Sequence, residues 1–173
     1  VRYTVTAVLF ESLGLLRGEE ITDAVLDEIV DSDNRYRATK KALSLLSISD
    51  VSERALVLKL RRAGYPREVA EAVACEMVRL GYIDEKRQLS RLVLREANDK
   101  LHGRGQIIPR LIAKGYSVRD IEAVLRELTD SGEVSLTENA QKLKKKMLPE
   151  DASPDKVRQL LYKYGYGAKD LYD

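Results

Sequence analysis

The 173-residue chain has no Trp, one Phe, one Cys, one His and four Pro, and each shortage removes a class of protein. A single Cys75 excludes an intrachain disulfide, and a single His102 excludes the usual His and Cys metal clusters. The apolar runs are a few residues long, far short of the roughly 20 needed to span a bilayer, and no signal peptide is visible. A reducing, cytoplasmic setting is therefore expected, with no membrane, metal or cofactor. Val1 opens the chain in place of Met, so further residues are expected upstream. The 44% apolar fraction suffices for a core, which the scarcity of large aromatics makes mostly aliphatic.

What the chain does have is repetition. Gly-Tyr recurs as Gly64-Tyr65, Gly115-Tyr116 and Gly165-Tyr166, at spacings of 51 and 50 residues. A shift of 51 also lays Leu60 on Leu111, Glu71-Ala72-Val73 on Glu122-Ala123-Val124, Gly81 on Gly132 and Ile83 on Val134. Units of about 50 residues are marginal alone, because they bury only roughly 60% of their unfolded surface. Stacking supplies the remainder, so the expectation is an all-α chain of tandem three-helix repeats. The divisions fall at residues 1–33 (an acidic appendage), 34–83, 84–133 and 134–173, the last helix being a stub because the chain stops eight residues after Gly165.

Local signals fit this plan. A short helix is expected over residues 7–16, closed by Gly18, after a weakly alternating start. Thr22-Asp23 caps a helix ending near Asp31. The first repeat opens near Asn34 with Leu43, Leu45 and Leu46, and Ser52 caps its second helix, with Leu56, Val57 and Leu60 inward. Gly64 stops that helix in the left-handed conformation that only Gly adopts without a Cβ clash, and Pro66 starts the third, which buries Ala70, Val73, Ala74 and Met77. The second repeat has a helix over 85–100, a turn at Gly103-Arg104-Gly105, and a helix with Ile107, Ile108, Leu111 and Ile112. Ser117 with Asp120, and Ser135 with Glu138, form capping-box patterns, and Ser153-Pro154-Asp155 is a helix start.

No catalytic constellation emerges. Each Tyr after a repeat Gly is expected to cover a helix joint with its hydroxyl in water. Gly103-Arg104-Gly105 is a lone G-x-G with no strand before it and no Lys-Ser or Lys-Thr after it; it reads as a chain turn with Arg104 at its tip. His102 reads as an exposed loop residue without base, nucleophile or metal partner, and Cys75 lies off its helix's apolar stripe.

The formal charge of +2 hides an asymmetry, since residues 1–33 carry −6 and the rest +8. Cations recur at repeat positions: Lys59 aligns with Arg110, and Arg61, Arg62 and Lys114 lie near them at the ends of second helices, where they also suit the helix dipole. The run Lys142, Lys144, Lys145 and Lys146 is denser than capping needs. With Arg104, these ten are the candidates for partner or phosphate contact.

Residues 42–82, with their Ala-Leu-x-Leu-Leu opening, Ser52-Glu53, Lys59-Leu60 and Leu80-Gly81-Tyr82-Ile83-Asp84, resemble the RecX regulatory proteins of bacteria. So does Gly103-Arg104-Gly105 followed by Ile108, Leu111 and Lys114-Gly115. Two features depart from the pattern: Ser47-Ile48-Ser49-Asp50-Val51 stands where an Arg-rich stretch is usual, and Gln88-Leu89 where an aromatic is. The resemblance implies three tandem three-helix units stacked into an elongated, curved array of either hand, and a non-enzymatic modulator of RecA; a monomer is expected. Such proteins lodge in the groove of the RecA filament on single-stranded DNA and block its growth, strand exchange and coprotease activity, within DNA repair, recombination and the SOS response. Contact with single-stranded DNA and weak binding of duplex accompany that expectation. The alternative is a helix-turn-helix-like DNA-binding regulator, against which stand acids on the third helices, Glu68, Glu71, Asp120, Glu122 and Glu127, where base-reading side chains are wanted.

Overall fold

The computed structural model describes residues 3–16, 18 and 20–171. Val1 and Arg2 of the alternating start, and Arg17 of the acidic segment, lie outside them. The described chain is all-α: α1 Ala7–Ser12, α2 Asp23–Ile48, α3 Glu53–Arg62, α4 Arg67–Arg79, α5 Glu85–Leu94, α6 Arg104–Ile112, α7 Val118–Asp130, α8 Leu136–Met147 and α9 Pro154–Lys163. A π-helical turn, Arg95–Asp99, continues α5, and a 3₁₀ turn, Ala168–Asp170, follows α9.

Contacts divide the molecule into two compact units, Val1–Ile83 and Asp84–Asp173. The sequence reading divides it into an appendage and three repeats. Its division at 33/34 runs through α2, where it expects one helix to end near Asp31 and another to begin near Asn34. No Gly or Pro lies between Asp23 and Ile48, and a change from acidic to basic surface gives a helix no reason to stop. The division at 133/134 runs through one shared core.

In the first unit α2, α3 and α4 enclose Ala38, Ala42, Val51, Leu56, Leu60, Ala70, Val73, Ala74, Met77 and Ile83. The two alanines of α2 are wholly buried and let the facing helices approach closely, while Leu43 stays at the surface. Asp33 is buried as well, accepting hydrogen bonds from the Thr4 amide at 2.8 Å and from Arg37 at 3.5 Å, which ties the N-terminal segment to α2. The second unit packs α5 to α9 around Leu89, Val93, Ile107, Leu111, Ile121, Leu125 and Leu143, each at most 1% exposed. Truncating one of these leucines to Ala costs about 2–5 kcal/mol.

The caps act at the expected places. The hydroxyls of Thr22, Ser52, Ser117 and Ser135 accept from the amides of Val25, Ala55, Asp120 and Glu138. Ser153 differs: α9 starts at Pro154, but the Ser153 side chain makes no capping bond.

Candidate functional site

The three Gly-Tyr pairs share one backbone device. Gly64, Gly115 and Gly165 have φ of +94°, +98° and +82°. Their amides donate to the carbonyls of Arg61, Ile112 and Tyr162, and the amides of Tyr65, Tyr116 and Tyr166 reach back to Leu60, Leu111 and Leu161. This double bond pattern ends a helix through a left-handed residue. The tyrosine hydroxyls do not all face water as expected. Tyr116 donates to the buried Gln88 Oε1 at 2.8 Å, and Tyr166 donates to the Leu101 carbonyl at 3.0 Å. Burial raises the Tyr166 hydroxyl pKa far above its ordinary value, and the nearby Asp170 carboxylate adds to the shift. Leu101 itself has φ +55°, a conformation that costs a side-chain-bearing residue about 1–2 kcal/mol.

Gly165 does more than stop α9. The Gly103 amide donates to the Tyr164 carbonyl and the Gly105 amide to the Gly165 carbonyl, both at 2.9 Å, so the start of α6 lies against the end of α9, backbone to backbone. A Cβ on Gly103 would fall 2.5 Å from the Gly165 oxygen, and one on Gly165 2.4 Å from the Gln106 nitrogen. The Gly-x-Gly is thus a close-approach site, which its lack of a strand and phosphate-loop residues did not reveal. Arg104, expected at the tip of a turn, is the half-buried first residue of α6, with Nε 3.0 Å from Asp170 Oδ1. The pair is close enough for an ion pair but misaligned for a hydrogen bond, so neither atom makes one. An open cavity of 610 Å³ beside it is lined by Arg104, Gln106, Tyr162, Gly165, Tyr166 and Asp170, among others.

A second buried carboxylate, Glu96, sits in the π-helical turn at 3% exposure. Lys100 Nζ lies 2.6 Å from Oε1, His102 Nδ1 3.0 Å from Oε2, and Arg95 and Arg110 approach to 3.9 and 4.0 Å. Burial pushes the Glu96 pKa up, but the hydrogen bonds and charges of Lys100 and His102 together outweigh it, and the net shift is down. A carboxylate only accepts, so Nδ1 must carry the His102 proton in this bond. His102 is therefore not the partnerless exposed residue expected; its side chain is 13% exposed and its ring packs 5.8 Å from that of Tyr164. The missed signal was Glu96 six residues upstream, a separation an α-helical register would not bring together.

The ten cations sort by environment. Arg104 and Arg110 face internal carboxylates, Arg110 also donating to Gln106 at 3.2 Å. Lys142 approaches Glu138 at 3.9 Å, and Lys114 is exposed on the turn after α6. Lys59, Arg61 and Arg62 fill the last turn of α3, in the first unit, and are exposed. Lys144, Lys145 and Lys146 fill that of α8, in the second unit, with Lys144 half-buried. None of these six forms an ion pair with a described residue. Among the described residues no group of three or more His, Cys, Asp or Glu side chains could hold a metal, and no helix is long and apolar enough to cross a membrane.

No family model matches the chain. It is 27% identical over 160 residues to the regulatory protein RecX of Limosilactobacillus reuteri (strain DSM 20016), a match covering 89% of this chain and 60% of the relative. It is 28% identical over 171 residues to the regulatory protein RecX of Geobacillus kaustophilus (strain HTA426), covering 96% and 63%. A crystal structure of a regulatory protein RecX superposes with a TM-score of 0.75 at 26% identity, over 96% of this chain and 83% of that one. The chain is thus similar to RecX regulatory proteins in sequence and in fold along most of its length, and spans about 60% of the length of the curated relatives it matches.

Proposed function

We propose, from this similarity to RecX regulatory proteins, that the chain is a negative modulator of RecA that binds the RecA filament on single-stranded DNA and blocks its extension and activities. It acts by binding, not by catalysis, in the cytoplasm, within DNA repair, recombination and the SOS response. The observation that carries the reading is the joint match of sequence and fold over 96% of the chain. The cations left at the surface on α3 and α8 support it, because association with a nucleoprotein filament is steered by complementary charge.

The test is RecA's DNA-dependent ATPase rate and filament length, measured with substoichiometric protein beside duplex binding at physiological salt. Reduced ATPase and shortened filaments are expected, with duplex binding weak and indifferent to sequence. Tight, sequence-specific duplex binding with no effect on the filament replaces this reading with the DNA-binding regulator. The acids on α4 and α7 speak against that outcome: Glu71 is paired with Arg67 and Glu127 with Lys86, which leaves those helix faces poor at reading bases.

A further inference from the structure

We infer that the solvent face of α3, formed by Arg54, Leu58, Arg61 and Arg62, is a docking surface for an acidic protein patch with an apolar centre, and on the functional reading above, on which this rests, that patch belongs to RecA. The four residues stand at i, i+4, i+7 and i+8, a single stripe on a 3.6-residue helix, opposite the fully buried Leu56 and Leu60. All four are exposed, Leu58 at 45%. None of the three arginines forms an ion pair with a described residue, whereas Arg37, Arg67 and Arg79 on the flanking helices are each matched to Asp33, Glu71 or Glu76.

Scaffolding does not explain the stripe. Arg61 and Arg62 in the last turn suit the helix dipole, but Arg54 is the second residue of α3, at the end where a cation is unfavourable. Solubility does not require Leu58. The 51-residue images of the four positions are Gly105, Pro109, Ile112 and Ala113, equally exposed but uncharged, so the stripe belongs to this helix and not to the repeat. Phosphates would use the arginines and gain nothing from a leucine among them. A protein surface offering carboxylates around an apolar contact matches both: arginine is enriched among the energetically dominant residues of interfaces, and Leu58 supplies apolar area at the centre of the stripe.

Two variants test this: Arg54→Glu/Arg61→Glu/Arg62→Glu, which reverses charge, and Leu58→Ala, which keeps charge and removes only the anchor. Affinity is measured for preformed RecA filaments on oligo(dT) and for bare oligo(dT), with thermal melts to establish folding. All four side chains face solvent, so Leu58→Ala is expected to melt like the unaltered chain, and the triple variant, which replaces two last-turn cations that suit the helix dipole, a few degrees lower at most. Loss of filament affinity by at least about tenfold for the triple variant and about fivefold for Leu58→Ala, with oligo(dT) binding changed less than about twofold, is the expected result. Both variants binding the filament as the unaltered chain does overturns the surface and leaves the RecA reading standing. An unaltered chain without affinity for the filament overturns both. If the triple variant loses bare oligo(dT) as steeply as filament, the stripe is a nucleic-acid contact and the proposal fails.

Discussion

At the scale of single residues, Glu96 has the most consequences. It is nearly inaccessible, yet its oxygens are taken by Lys100 and His102, with Arg95 and Arg110 near, so the carboxylate stays charged inside the second unit. Its pKa is lowered on folding, so the native state favours the ionised form; this contribution is fully present above the unfolded value near 4.5 and is lost as pH falls through the lower native value. Glu96→Gln should therefore destabilise the protein by about 1–3 kcal/mol at neutral pH, since the charge-assisted bonds go and the neighbouring donors lose their acceptor. The stability gap between variant and parent, followed by urea unfolding, should shrink as pH falls below about 4.5. A gap unchanged down to pH 3 contradicts the role given to the charge. The sequence displays Glu96 and Lys100 at an ordinary i, i+4 spacing, but His102 reaches the same carboxylate only because the chain turns back after the π-helical turn through left-handed Leu101, with the His102 amide donating to the Glu96 carbonyl, and nothing in the residue types announces that return.

At the scale of elements, the stops and caps were the most legible part of the chain, because they are local chemistry: a left-handed Gly or a capping Ser needs only its own few neighbours. Gly64, Gly115 and Gly165 end their helices as read, and Pro66 precedes α4. What sequence could not supply was distance between backbones remote in the chain. Gly103 and Gly105 looked like a turn and are the surface on which Gly165 rests. The continuity of α2 was missed for a different reason: no Gly or Pro breaks it, and a shift in charge looked like a boundary. A graded prediction follows for two glycines with similar φ. Gly64→Ala should cost about 1–2 kcal/mol, the left-handed penalty alone, because a Cβ there meets nothing within 4 Å and its only fault is a φ of +94°. Gly165→Ala carries the same penalty and also drives a Cβ to 2.4 Å from the Gln106 nitrogen, which must break the α6 to α9 backbone contact. Its loss should exceed that of Gly64→Ala by at least about 1 kcal/mol in a denaturant titration. Equal losses would mean that the contact is soft enough to yield.

At the scale of the whole molecule, two separate cores carry two separate clusters of solvent-facing cations, one on α3 in the first unit and one on α8 in the second. The α8 cluster is the denser in sequence, and part of its charge is accounted for by the helix dipole, which favours cations in a last turn by about 0.3–1 kcal/mol. Changing Lys144, Lys145 and Lys146 to Glu moves the formal net charge from +2 to −4 and removes that favour, so the melting temperature should fall by a few degrees at most. If α8 meets the filament, inhibition of the RecA ATPase should weaken about tenfold or more, and the weakening should fade as salt is raised. Unchanged potency makes the run a solvated face. Because the α3 and α8 clusters share no partner residue, their losses should add in free energy when both are reversed, provided each contacts the filament independently. A combined variant no worse than the α3 variant alone would place the whole encounter on the first unit, with the lysines of α8 serving only the helix that carries them.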